Sequence, residues 1–257
     1  MASEHDSPAR CADSAPPYGT IAFDCDSTLS AIEGIDELAA IAGVTRESVE
    51  RLTAQAMAGE LALEEVYARR LELVRPTRDH VDALGRRYVE TALPSSRELI
   101  AGLRALSKRV CIVTGGLRQA VLALAEHLAV DPADVFAVEV YHDRSGVYAG
   151  FDELSPLARA GGKLDVLRDL ARLDHAGGLA FVGDGATDLE AAPAARRFVA
   201  FAGFARRQAV LARAAVTCSR RDLAALLPLL VSRGELDELA SLPEHAALVR
   251  AARAAAP

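Results

Sequence analysis

The feature that most limits what this chain can fold into is a recurring one, a short apolar run that ends abruptly in acids, hydroxyls or glycines. It occurs at Ile21-Ala22-Phe23 before Asp24-Cys25-Asp26-Ser27-Thr28, at Val110-Cys111-Ile112-Val113 before Thr114-Gly115-Gly116, and at Leu179-Ala180-Phe181-Val182 before Gly183-Asp184-Gly185-Ala186-Thr187-Asp188. Short apolar runs closed by turn formers read as buried strands. Helical spacing separates them, and alternating strands and helices predict an α/β fold with a doubly wound, mainly parallel, Rossmann-like sheet. In such a sheet the three polar endings emerge at one carboxyl edge, where open α/β sheets hold ligands.

In chain order, residues 1–18 are polar and Pro-containing and read as a mobile tail. Strand one covers about 19–23. From 33 to 93 no strand interrupts a helical pattern: Ile35, Leu38, Ile41 and Ala42 have helical spacing, and amphipathic runs cover 45–57, 62–74 and 78–90. This block reads as a helical cap domain inserted after the first strand. Residues 19–32 and 94–233 then form the α/β core. Within it the pattern predicts a helix at 95–106, a strand at 109–113, a tight turn at 114–116 and a helix at 117–128. A β-hairpin is expected over 135–150 around Asp143-Arg144-Ser145-Gly146, and short strands near 197–201 and 214–217 complete the sheet. Residues 234–257 read as a C-terminal helical extension, either an add-on or a partner surface.

Composition narrows the function classes. The formal net charge of −7 argues against a nucleic-acid partner and against an anionic membrane surface, so a small anionic substrate needs local positive charge. The four cysteines, Cys11, Cys25, Cys111 and Cys218, have no CxxC spacing, which disfavours a zinc site or a disulfide framework. With no apolar leader in the first 18 residues and no long apolar run, a cytoplasmic protein is expected, as a monomer or homodimer.

The chemistry follows from the strand endings. If the chain bends just after Asp24, one acid of the Asp24-Cys25-Asp26 pair can serve as nucleophile while the other works above it as a proton donor. Thr114 offers a hydroxyl, and Gly115-Gly116 allows bare backbone N–H groups to approach an anion. Lys163, behind Gly161-Gly162, supplies a point charge suited to phosphate. Asp184 and Asp188 bracket a Gly-rich turn, and hard carboxylate oxygens suit Mg²⁺. Ionised Asp24, Asp184 and Asp188 with a phosphate dianion face only Lys163. Like charges roughly 4 Å apart cost on the order of 4 kcal/mol at an effective dielectric near 20, so phosphate binding calls for the cation.

In this order and spacing the motifs resemble those of the haloacid dehalogenase (HAD) superfamily of phosphotransferases. A narrower resemblance, to its phosphoserine phosphatase family, rests on three further stretches. These are Glu33-Gly34-Ile35-Asp36-Glu37-Leu38-Ala39, Ala56-Met57-Ala58-Gly59 with Arg70 downstream, and Tyr148-Ala149-Gly150-Phe151-Asp152 before Gly161-Gly162-Lys163. The resemblance implies Asp24 as nucleophile, Asp26 as general acid and base, and Lys163 with Thr114, Gly115, Gly116 and Thr187 around the phosphoryl group. It implies Mg²⁺ held by Asp24, the Asp26 carbonyl and Asp184 with support from Asp188, and O-phosphoserine held by Glu33, Met57, Arg70 and Arg207. Leu63 and Leu117 stand where relatives often carry Phe, which leaves room for another small phosphomonoester or for phosphotransfer. A non-enzymatic receiver-like domain would also use acids, a Thr and a Lys, but receivers lack the insert at 33–93.

Overall fold

The structure is a computed structural model that describes residues 18–45, 47–48, 63–173 and 177–255, the side chains of 63 and 64 excepted. The expectations for residues 1–17, for the run 49–57 with Met57, and for the Leu63 side chain lie outside the described residues. Tyr18, expected to end a mobile tail, is instead buried: its carbonyl accepts from Lys108 Nζ at 2.8 Å and its hydroxyl accepts from Arg197 Nε at 2.8 Å.

Six parallel strands form one sheet in the order β3-β2-β1-β6-β7-β8. They are β1 Thr20–Phe23, β2 Arg109–Leu117, β3 Val135–Val138, β6 Leu179–Gly183, β7 Arg197–Phe201 and β8 Thr217–Cys218. The remaining strands, β4 Val140–His142 and β5 Tyr148–Phe151, pair as a separate antiparallel hairpin. Every β1 residue is buried because both sheet faces are covered. Ile21 and Phe23 face one core with Val110, Ile112, Ala180 and Val182, and Ala22 faces the other with Cys111, Val113 and Phe181. The strand order reverses at β1. Connections run to β2 and β3 on one side and to β6, β7 and β8 on the other, which opens a crevice at the carboxyl ends of β1 and β6.

Two local expectations need correction. The segment Thr114-Gly115-Gly116 is no tight turn but extended strand inside β2, which pairs on to Leu117 opposite Val138 after a register shift between Val113 and Leu117. The two glycines thus sit at a strand irregularity, where backbone groups leave the ladder. The expected hairpin over 135–150 is split, because Val135 and Val138 are buried beside β2 and only 140–151 folds back on itself.

The described helices of the insert are Gly34–Ile41, Leu63–Val74 and Arg78–Glu90. Its entry and exit chains run side by side, with Leu93 N–H donating to the Leu29 carbonyl and Ala31 N–H to the Thr91 carbonyl, both at 2.9 Å. The Arg78–Glu90 helix, begun by a Thr77/His80 capping box, packs on the core helix Arg118–Leu128. Gly85 permits the close approach, since a Cβ there would lie 3.1 Å from Ala123 Cβ. At the C-terminus, helices Arg233–Ser241 and Ala246–Ala255 bury Leu239, Leu248, Val249 and Ala252 against the core, so this segment is part of the fold. Buried Lys108 pairs with Glu235 to tie it down.

Candidate active site

At the end of β1 the Asp24 N–H still bonds the Val182 carbonyl at 2.9 Å, and then the chain curls round one atom. The Cys25 carbonyl accepts from the N–H groups of Thr28, Leu29 and Ser30, with Ser27 left-handed at φ 55°. This curl sends the two acids of the Asp-x-Asp pair to different surroundings. Asp24 faces the ends of β6 and of the Gly162–Leu173 helix, whose Lys163 Nζ donates to Asp24 Oδ1 and to Asp188 Oδ1, each at 2.6 Å. Asp26 turns toward the insert: Tyr88 Oη donates to its Oδ1 at 2.6 Å and the Gly34 N–H to its Oδ2 at 2.9 Å.

Asp26 therefore caps the Gly34–Ile41 helix, and Glu33, although at the N-cap position, makes no capping bond. Glu33 Oε1 instead accepts from Ser27 Oγ and from Arg207 Nη2, both at 2.6 Å. Arg207 Nε also donates to Asp184 Oδ2 at 2.7 Å, so of the adjacent pair Arg206 and Arg207 it is Arg207 that reaches into the site.

Beyond β6, Asp188 is completely buried, its Oδ2 accepting the Gly185 N–H at 2.8 Å. Only glycine fits at 183, because a Cβ there would lie 2.4 Å from Asp188 Cγ. One carboxylate oxygen each from Asp24, Asp184 and Asp188 lies within 4.8 Å of the others, a buried group that could hold a metal ion. The donor set suits a hard divalent cation, being all carboxylate oxygen. The electrostatics agree. Burial, then Asp188, raises the Asp24 pKa well above the carboxylate range against the pull of Lys163, and burial pushes Asp184 up to about 6 although Arg207 opposes it. Both shifts come chiefly from burial, with the neighbouring Asp188 adding to each.

Burial also raises Asp26 to about 6, with Tyr88 and the Gly34 N–H pulling it down. Burial disfavours the Lys163 ammonium, but Asp188 and Asp24 outweigh it and hold its pKa above the ordinary lysine value.

A cavity of about 460 Å³ opens over these groups. It is lined by every described candidate: Asp24, Asp26, Glu33, Arg70, Thr114, Gly115, Gly116, Lys163, Asp184, Thr187, Asp188 and Arg207. Thr114 Oγ1 accepts the Gly116 N–H at 3.1 Å, which leaves its own proton for a ligand. Ile35, Leu38, Val66 and Leu84 of the insert, with Leu117, make an apolar wall. Two groups went unread in the sequence. Tyr67 Oη donates to the Gly115 carbonyl at 2.9 Å, and Tyr88 holds Asp26. Their one signal was a phenol placed on the apolar stripe of an amphipathic helix, since a buried hydroxyl needs a partner.

A family model described as haloacid dehalogenase-like hydrolase matches residues 18–196. The phosphoserine phosphatase of Mus musculus is 40% identical over 190 residues, covering 74% of this chain and 84% of the relative. Among solved structures, a substrate-bound phosphoserine phosphatase complex superposes with a TM-score of 0.67 at 27% identity, covering 82% of this chain and 97% of that one. A phospho-aspartyl intermediate analogue of phosphoserine phosphatase superposes with a TM-score of 0.66 at 27% identity, covering 82% of this chain and 98% of that one. With the motif order, the parallel sheet and the acid cluster already in agreement, the match assigns the chain to the haloacid dehalogenase-like hydrolases.

Proposed function

We propose that this protein is a phosphoserine phosphatase, hydrolysing O-phosphoserine to serine and phosphate as the last step of serine biosynthesis. One observation carries the reading: the two acids of Asp24-Cys25-Asp26 are held in opposite ways. Asp24 sits among Lys163 and the metal acids, while Asp26 faces away from them into two neutral donors. Two carboxyl groups of one motif in such different settings suit two roles, nucleophile and proton carrier.

The residues that would hold Mg²⁺ are Asp24, Asp184 and Asp188 with the Asp26 carbonyl. Bound there, the ion supplies charge that offsets the phosphoryl oxygens. Asp24 attacks phosphorus in line and becomes a phosphoaspartate as the serine oxygen departs. Asp26 gives that oxygen its proton and then takes one from the water that hydrolyses the phosphoaspartate. Lys163, the Thr114 hydroxyl and the N–H at Gly115 bind phosphoryl oxygens, with the Gly116 N–H holding the Thr114 oxygen and Thr187 at the rim.

Residues 33–93 act as the cap over the core formed by 19–32 and 94–233, with 234–257 as an extension. From the cap, Glu33 meets the substrate ammonium and Arg70 its carboxylate, while Met57 and Arg207 complete the pocket. All these groups belong to one chain, so a monomer or a homodimer serves equally. The proposed location is cytoplasmic, with which the buried free thiols Cys25, Cys111 and Cys218 among the described residues are compatible.

The test is phosphate release from a panel of phosphorylated amino acids, sugars and choline, with Mg²⁺ and with chelator. O-phosphoserine should give the highest kcat/KM and chelator should silence the reaction. A different ester leading by more than about tenfold would replace the substrate, and release from none would remove the activity.

A further inference from the structure

We infer that Tyr88 is a positioning residue for proton transfer, its phenol fixing the Asp26 carboxyl from the helical insert. The inference rests on the reading of Asp26 as acid and base. Tyr88 is fully buried, and its hydroxyl donates to Asp26 Oδ1 at 2.6 Å, within the range of charge-assisted O–H···O bonds. The other oxygen, Oδ2, takes the Gly34 N–H at 2.9 Å. A carboxylate offers about four lone-pair sites, so each oxygen keeps one free. Rotating the carboxyl would break both bonds at once. The plane of the acid is thus set from two directions, and both donors favour its ionised form.

Room for the phenol comes from two glycines in two separate motifs. A Cβ at Gly34 would lie 2.0 Å from Tyr88 Oη, and one at Gly116 would lie 3.3 Å away. Any buried phenol needs a hydroxyl partner, and a backbone carbonyl would serve a tyrosine that only filled core. This one delivers its hydroxyl to the acid beside the nucleophile, from a helix packed on Arg118–Leu128, which makes the donor rigid. In the first half-reaction a proton on a free Asp26 lone pair passes to the departing alkoxide. In the second, the ionised carboxylate, still bonded to Tyr88 and Gly34, removes a proton from water as the water oxygen bonds to phosphorus and the bond from phosphorus to the Asp24 oxygen breaks, which frees phosphate and returns the Asp24 carboxylate. The Tyr88 proton stays on the phenol throughout.

Tyr88→Phe keeps the ring and removes only the donor. A misaligned acid matters most where the leaving group needs its proton, so kcat/KM on O-phosphoserine, which reports only the steps up to departure of the serine, should fall about 10- to 100-fold. The kcat/KM of p-nitrophenyl phosphate, whose phenolate leaves unaided, should fall less than about 3-fold, whereas kcat, which includes the water step common to both substrates, can fall on both. Adding Tyr88→Phe to Asp26→Asn should cost less than about twofold more, because the group being positioned is already gone. Parallel losses of kcat/KM on the two substrates, no loss on either, or independent losses in the double variant would each overturn the role. A wild-type enzyme inactive on O-phosphoserine would instead sink the substrate reading. The Tyr88 comparison then runs between p-nitrophenyl phosphate and the alkyl phosphate that the wild type turns over best, and release from no phosphate overturns both.

Discussion

Replacing Asp184 with asparagine should make the metal-free protein more stable at neutral pH while destroying its response to Mg²⁺. Asp184 is buried beside Asp188 and Glu33, and its pKa rises to about 6, burial being the chief cause and Arg207 the main opposing one. Unfolded, an aspartate titrates near the ordinary 3.8. The folded value is the higher one, so the native state binds the extra proton in that window. Stability present below the unfolded pKa is lost as pH rises through about 6. Roughly two pKa units at 1.36 kcal/mol each amount to about 3 kcal/mol near pH 7.5, falling to about 1 kcal/mol near pH 4.5. Asparagine has the same shape and no charge to desolvate. In chelator, Asp184→Asn should therefore raise Tm by about 5–10 °C near pH 7.5, and by much less near pH 4.5. Saturating Mg²⁺ should reverse the order, since only the wild type gains the binding term. Calorimetric melts of both proteins at the two pH values, with EDTA and with Mg²⁺, read all of this. An apo variant no more stable than wild type at neutral pH, or a gain undiminished by acid, would refute the electrostatic reading of the cluster.

Asp24→Asn leaves no oxygen able to accept a phosphoryl group, so turnover should vanish while circular dichroism stays native; near-normal phosphate release would sink the mechanism. Arg70→Ala should lose a charge-assisted contact worth roughly 2–4 kcal/mol, about 30- to 1,000-fold in kcat/KM for O-phosphoserine, with p-nitrophenyl phosphate little changed. Parallel losses would indicate a damaged fold. Glu235→Gln strands the buried Lys108 ammonium and should cost about 2–4 kcal/mol in urea unfolding. Burial works against the Glu235 charge, but Lys108 and Ser232 outweigh it and lower its pKa, so this stability is present above the unfolded value and lost as pH falls through the folded one. A cost under about 1 kcal/mol would mean that the C-terminal helices are held by apolar packing alone.

Much of the fold was legible because its cues are local. Apolar runs ending in acids or glycines at Asp24, Thr114 and Asp184 required strands that stop at one edge, and helical spacing between them required parallel connections. Those two facts imply the doubly wound sheet, which the structure and its HAD relatives bear out. Where the local cue was ambiguous, the reading slipped. Thr114-Gly115-Gly116 has turn composition, yet pairing with β3 holds it extended; alternation over 135–150 fits a hairpin, yet Val135 and Val138 gain more by joining β2.

The residues grouped as a site were likewise nameable, since each stands in a motif, but what each one touches was not. Glu33 stands at the N-cap position of the Gly34–Ile41 helix, yet the tertiary structure gives the capping bond to Asp26 and turns Glu33 toward Arg207, 174 positions along the chain. Tyr88 meets Asp26 across 62 positions and Tyr67 meets Gly115 across 48. Composition and spacing determine which groups a chain owns and which local structure they favour. A hydrogen-bond partner is decided by how helices pack, here by Gly85 against Ala123 and by the space left at Gly34 and Gly116, and one phenol on an apolar stripe carries no mark of which carboxylate it will meet.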